Sequence, residues 1–256
     1  MISQRYYSIT AFAILPFILL SQTIEGPVAT ITSGKIRGYI DNGINSFKNI
    51  PYGANTANVR FKAPVLPKPW TEICECTTFG PIAPQQRGLN PDANVSEDCL
   101  NLNVWTPALR DGKKRPVMVW LHGRGHYAGA ASEGMYNGAN LAKRGNAVVV
   151  TVNHRLNVFG YLYLEEICGK AFQGSGIAGE LDIVMALKWV KANIEIFGGD
   201  PGNVTIFGES GGGGKVSILL GMPEAKGFFH RAIIQSGPAL RGIEPKTATA
   251  YTEQLL

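Results

Sequence analysis

The sequence predicts an open α/β sheet. Nearly continuous apolar runs at 116–123 (PVMVWLHG), 147–153 (AVVVTVN) and 204–208 (VTIFG) have the composition of central parallel strands covered on both faces. Between the second and third runs, Ile183, Leu187, Val190, Ile194 and Phe197 fall at helical spacing and give one apolar stripe. Strands that alternate with helices in this way build α/β domains, and such sheets bind ligands beyond the carboxyl ends of their strands. The third run ends at that position in Gly208-Glu209-Ser210-Gly211-Gly212.

At the N-terminus one positive charge, Arg5, precedes an apolar stretch over 9–20. That length suits the core of a signal peptide and is short for a membrane span. With Ser21 and Thr23 at −3 and −1 of a cleavage site, residues 1–23 are expected to be removed on export, leaving 24–256 as a secreted or periplasmic domain. Residues 27–50 read as short hairpins: SGK and DNG supply the turns, and Ile36, Tyr39, Ile44 and Phe47 the apolar positions. Residues 51–98 are irregular and rich in Pro, Asn and Gly. LNLNVW (100–105) alternates like a half-buried strand, a helix is expected over 181–197, DPGN (200–203) turns the chain, and HRAIIQSG (230–237) reads as a further strand.

Composition narrows the function. With 45% hydrophobic and 17% charged residues the chain is globular, and its formal charge of +5 is not gathered into a basic stripe. Lys113-Lys114-Arg115 reads as a solvated loop, so no nucleic-acid partner is expected. No membrane contact is expected beyond the N-terminal signal. The cysteines Cys74, Cys76, Cys99 and Cys168 and the four histidines form no zinc-ligand pattern. The G-x-G-x-x-A match at Gly123, Gly125 and Ala128 lacks the acidic residue that ribose binding needs, and the glycine tract before Lys215 has Glu209 and Val216 where a phosphate loop needs Gly and Ser/Thr. No metal or cofactor is expected.

What remains is G-x-S-x-G after a buried strand. There a serine projects from a strained strand-to-helix turn, small neighbours let adjacent backbone pass, and the amide of Gly211 opens a helix N-terminus that favours negative charge. A second strand ends in His122-Gly123-Arg124-Gly125, a loop of the type that offers further amides to an oxyanion.

These residues stand in a longer pattern. NIPYG (49–53), RF (60–61), PKPW (67–70), SEDCLNLNVWTP (96–107), GANLA (138–142), NHRLNVFGYL (153–162), the 181–213 segment with its FGGDP and GES signatures, and FHRAIIQSG (229–237) occur in the order found in type-B carboxylesterases. The chain resembles that cholinesterase-like branch of the α/β-hydrolases from about residue 28 to its end. The resemblance implies the α/β-hydrolase fold, with a mostly parallel central sheet flanked by helices and an N-terminal antiparallel hairpin. It implies Ser210 as nucleophile, backbone oxyanion donors at Arg124, Gly125 and Gly211, structural ion pairs Arg60–Glu97 and Arg155–Asp182, and a buried acidic position at Glu209 that lines the active site. His126 is a further candidate for that lining. The implied partner is a small-molecule ester.

The chain also departs from the family. Arg124 replaces a glycine, so either the loop holds its amide inward at positive φ or one donor is lost. Ala83 stands where the family has the disulfide partner of Cys99, which leaves Cys99 free. Ile177 occupies a position where the family often has Asn. The family's base is a histidine far downstream, with its orienting carboxylate between, and nothing here matches either. The chain therefore looks like the N-terminal half of an esterase, inactive alone. The alternative is a non-catalytic adhesion or binding member of the same branch, against which an intact Gly-Glu-Ser-Gly-Gly argues.

Overall fold

The structure is a computed structural model that describes residues 26–86, 93–238 and 240–256. The expected signal segment, 1–23, lies outside the described residues. Two hairpins come first. β1 (Val28–Ile31) and β2 (Gly34–Arg37) pair antiparallel, as do β3 (Tyr39–Asp41) and β4 (Ile44–Pro51). The second turn is Asn42-Gly43 with φ of 50° and 82°, the left-handed pair that matches strand twist. β5 (Ile73–Glu75) adds parallel to β2 and completes a three-stranded sheet.

The larger sheet grows from β6 (Asn101–Thr106), β7 (Arg115–Leu121), β8 (Val148–Val152), β9 (Gly199–Glu209) and β10 (Arg231–Gln235). Its order is β10-β9-β7-β8-β6-β4-β3, parallel from β10 to β8 and antiparallel from β8 to β3. The helices are α1 (Ala139–Gly145), α2 (Asn157–Tyr161), α3 (Glu165–Cys168), α4 (Ala178–Asn193), α5 (Gly211–Gly221) and α6 (Pro245–Leu255). No helix among the described residues is long and apolar enough to cross a membrane.

α4 and α5 close one face of the sheet over Val117, Val119, Leu121, Val204 and Ile206. The other face is closed by α1 only where Ala142 packs on Ile44, Trp105 and Val149. Thus β7 alternates between buried and partly exposed positions, although its composition predicts burial on both faces. Trp120 is half-covered, tilted against Tyr136 at 5.0 Å and edge-on to Phe207 at 4.9 Å.

Four further expectations are corrected. β6 is buried at all six positions, because its polar residues are satisfied inside. Asn103 donates to Thr151 Oγ1 at 2.9 Å and accepts from the Asn49 amide at 3.1 Å, while Asn101 donates to the Pro81 carbonyl at 2.8 Å. The predicted helix starts earlier, at Ala178, and its last turn, Ile194–Phe197, tightens to a 3-10 turn. Residues 200–203 form an excursion within β9, whose pairing jumps from Arg115↔Gly199 to Val117↔Val204, and the Gly202 amide bonds Asp200 Oδ1 at 2.8 Å. Arg115 is not part of a solvated loop. It is buried, held by both oxygens of Asp111 at 2.6 and 2.7 Å and by Asn146 Oδ1 at 2.8 Å.

Two ion pairs tie distant segments. Arg155 and Asp182 meet inside, with Nη2–Oδ1 at 2.6 Å and Nε–Oδ2 at 2.8 Å, and Arg155 also donates to the Lys62 carbonyl at 2.8 Å. Arg60 and Glu97 meet nearer the surface, with Nε–Oε2 at 2.7 Å. All four cysteines are free thiols. Arg155→Met leaves the Asp182 carboxylate buried without its partner and should lower stability by about 3–5 kcal/mol. Arg60→Met, at a half-exposed pair, should leave the denaturation midpoint nearly unchanged. Parallel urea titrations of the two variants check this ranking. β10 is an edge strand with Ile233 and Ile234 45% and 37% exposed, and such edges template pairing between chains. The purified 256-residue chain should therefore self-associate in light scattering; a monomer with a cooperative melt would contradict this.

Candidate active site

Ser210 stands between the last residue of β9 and the first of α5, with φ 54° and ψ −122°. A non-glycine residue held in this region costs about 1–3 kcal/mol and persists only where its surroundings over-determine it. The surroundings here are backbone. The Ser210 amide donates to the Gln235 carbonyl of β10 at 2.8 Å, and its carbonyl accepts from Gly214 at 3.0 Å as the first bond of α5. A methyl group placed on Gly208 would come to 2.8 Å from the Leu121 carbonyl oxygen, and one placed on Gly212 would overlap that same atom. The turn can therefore close against the end of β7 only with glycine at both positions.

The loop that leaves β7 brings its own backbone to the same place. A methyl group on Gly211 would run into the amide nitrogen, Cα and carbonyl oxygen of Gly125, and one on Gly123 would stand 3.6 Å from Ser210 Cβ. The amides of Gly125 and Gly211 are thus neighbours at the N-terminus of α5, beside the serine. Arg124 adopts the left-handed conformation, φ 64°, that its glycine-like position demands. Its guanidinium leaves the loop and pairs with Glu133 at 3.1 Å. The far end of the loop is anchored by the Asn157 amide on the His126 carbonyl at 2.7 Å, and by Gln85, which bonds both the amide and the carbonyl of Gly129.

Glu209, the acid that the resemblance places in the active-site lining, is exposed among the described residues. His126 lies with its ring edge-on to Tyr161 at 4.9 Å and Nε2 3.6 Å from Glu180 Oε1. It lines a cavity of about 610 Å³ with Tyr161, Tyr163, Glu180, Ile218 and Ile243, a lining that does not include Ser210. Tyr127 is exposed, as is Ile177. Among the described residues no imidazole hydrogen-bonds the Ser210 hydroxyl. His122 and His154 are buried and stacked at 4.9 Å, their Nδ1 atoms directed at the Gly123 and Arg155 carbonyls. Burial holds both well below the ordinary imidazole range. His230 Nδ1 accepts from the Val204 amide at 3.2 Å.

Two charged residues near the site escaped the sequence reading. Glu180 and Lys215 are both 0% exposed. Each carried a signal. Glu180 continues the apolar stripe of Ile183 and Leu187, and Lys215 shares a face of α5 with Gly212 and Leu219, which are buried. Burial pulls the Lys215 amine down to about 7, opposed by Glu180. Between that value and the ordinary one of 10.5, the unfolded chain holds a proton that the folded chain has released, so stability rises with pH through the window. Above about pH 9 the buried Cys76 and Cys99 thiols, pushed up by burial, and then Tyr52 and Tyr161, work in the opposite direction. The free energy of unfolding should thus climb from pH 7, most steeply near pH 8 at somewhat less than about 1.4 kcal/mol per pH unit, and level off near pH 9 as the thiols offset the amine; Lys215→Met should remove the climb. Denaturant titrations across that range check this.

Comparisons with known proteins identify the family. A model of the carboxylesterase family matches residues 25–255. The chain is 44% identical over 216 residues to the para-nitrobenzyl esterase of Bacillus subtilis (strain 168), covering 82% of this chain and 43% of that protein. It is 39% identical over 249 residues to the medium-chain fatty acyl-CoA hydrolase precursor of Anas platyrhynchos, covering 89% and 43%. Among solved structures, the Geobacillus stearothermophilus carboxylesterase EST55 superposes with a TM-score of 0.84 at 46% identity, over 90% of this chain and 47% of that one. The chain thus spans less than half the length of the relatives it matches. With its α/β-hydrolase sheet, its serine on the strand-to-helix turn and a family match along nearly all of its length, the chain belongs to the carboxylesterase family.

Proposed function

We propose that the chain carries the nucleophile and the oxyanion hole of a serine carboxylic ester hydrolase. Ser210 attacks the ester carbonyl, and the negative charge that develops on oxygen is received by the amides of Gly125 and Gly211, with that of Arg124 beside them. The alcohol leaves, an acyl-enzyme remains, and water releases the acid. The observation that carries this reading is the conformation of Ser210 at the head of α5, with the Gly125 backbone packed against Gly211. Fixed amide dipoles at a helix N-terminus favour charge that appears only as the carbonyl is attacked.

The base is a histidine supplied from outside these 256 residues, together with its orienting carboxylate. Support comes from the four histidines present, none of which bonds Ser210, and from relatives of which this chain covers less than half. The 256-residue chain alone is then inactive, retaining at most about 10³–10⁴-fold over the uncatalysed rate. Relatives named para-nitrobenzyl esterase, fatty acyl-CoA hydrolase and phenmedipham hydrolase span several acyl chemistries, which supports a small ester or related acyl compound as substrate class and no narrower one.

A fluorophosphonate should label Ser210 in the full-length protein, and Ser210→Ala should abolish the labelling; mass spectrometry that finds the adduct elsewhere would sink the assignment. Arg124→Gly should keep the labelling rate within about twofold, because the loop presents backbone and the side chain is turned to Glu133. A loss near the 10²–10³-fold typical of a missing oxyanion donor would show that the guanidinium itself acts.

A further inference from the structure

The oxyanion hole is assembled from two pieces of chain that lie just beyond the pairing of β7 with β9, whose last pair is Leu121↔Gly208. Gly211 belongs to α5, and Gly125 to the loop that leaves β7. Their approach is close enough to exclude a methyl group, so its distance has to be fixed by something besides side-chain packing. Lys215, one helical turn after Gly211, reaches back across this seam. Its Nζ donates to the carbonyl of His122, the first residue of the loop, at 2.9 Å. Among the described residues this is the one side-chain hydrogen bond between α5 and the segment 122–129. The same carbonyl oxygen would lie 3.1 Å from a methyl group on Gly212, so the bond acts where helix and loop already touch.

We propose that Lys215 is a positioning residue of the oxyanion hole: by binding the His122 carbonyl from α5 it sets the separation of the Gly125 and Gly211 amides. The energetics favour a role beyond filling space. Lys215 is completely buried, and no carboxylate lies within ion-pair distance of it among the described residues; Glu180 of α4 acts on it only at longer range. The stacked His122 and His154 rings are buried beside it. A methionine would fill similar volume without a desolvated amine, and burying such a group is unfavourable unless its hydrogen bond does something that packing cannot. Here that bond joins the two backbone segments whose spacing the reaction depends on. A displacement of about 1 Å in such a pair is worth on the order of 10² in rate.

This inference rests on Ser210 being the nucleophile, and one measurement separates the two claims. The covalent labelling of Ser210 by a fluorophosphonate in the full-length protein is resolved into kinact and KI. Lys215→Met should lower kinact about 10- to 100-fold and leave KI within about twofold. The double variant Lys215→Met/Glu180→Met removes the buried carboxylate together with the amine, so its fold does not carry an uncompensated charge. It should still unfold in one cooperative transition and show the same loss in kinact. A folded variant that labels at the parental rate, or one that weakens only KI, overturns the positioning role while the esterase reading stands. A parent protein whose Ser210 takes no label overturns both.

Discussion

The structure depends on one close approach of backbone to backbone. The turn from β9 into α5 lies against the end of β7, and then against the loop that leaves it, at distances that admit no Cβ on Gly208, Gly211 or Gly212. Everything at the candidate site follows from that contact. It places the head of a helix beside a second run of amides, forces the intervening serine into a conformation it would not choose, and sets the serine Cβ close to the loop at Gly123. Side chains around the seam hold this arrangement and do not create it. Arg124 is drawn off to Glu133, His122 is stacked on His154, and Lys215 reaches across.

The interior that supports this seam is more polar than its composition suggests. β6 and β8 carry Asn101, Asn103 and Thr151 at buried positions, and Asn153 follows β8. Asn153 bonds Asn101 Oδ1 at 3.0 Å and accepts from the Ala131 amide at 2.8 Å, while Thr151 Oγ1 donates to the Ala131 carbonyl at 3.1 Å. The chain after the loop that leaves β7 is therefore stitched to the sheet by side-chain amides, which fix orientation in a way that apolar packing does not. Arg155, two residues further on, extends the same device to α4 through Asp182.

Much of the fold was legible because it is written locally. The DNG turn sets a hairpin, three apolar runs set the parallel strands, and the glycines around Ser210 announce a tight turn after a strand. What escaped was decided by tertiary partners, most of them far away in sequence. Arg115 reads as part of a basic loop until Asp111 and Asn146 are brought around it. The Asn residues of β6 read as a solvent face until β4 and β8 supply donors and acceptors. Lys215 and Glu180 interrupt apolar faces, which is a visible anomaly, but the His122 carbonyl that receives Lys215 is 93 residues distant. The uneven cover of β7 depends on which helices lie over each face, and no strand pattern encodes that.

The torsion angles of Ser210 have a consequence for endurance. The backbone there is bent by its neighbours whatever side chain it bears, so every residue with a Cβ meets the same steric objection, and glycine alone is relieved of it. The position proposed to supply the nucleophile is therefore a soft spot in the resistance of the protein to heat. Evolution toward a sturdier molecule and evolution toward a working one pull in opposite directions at this residue.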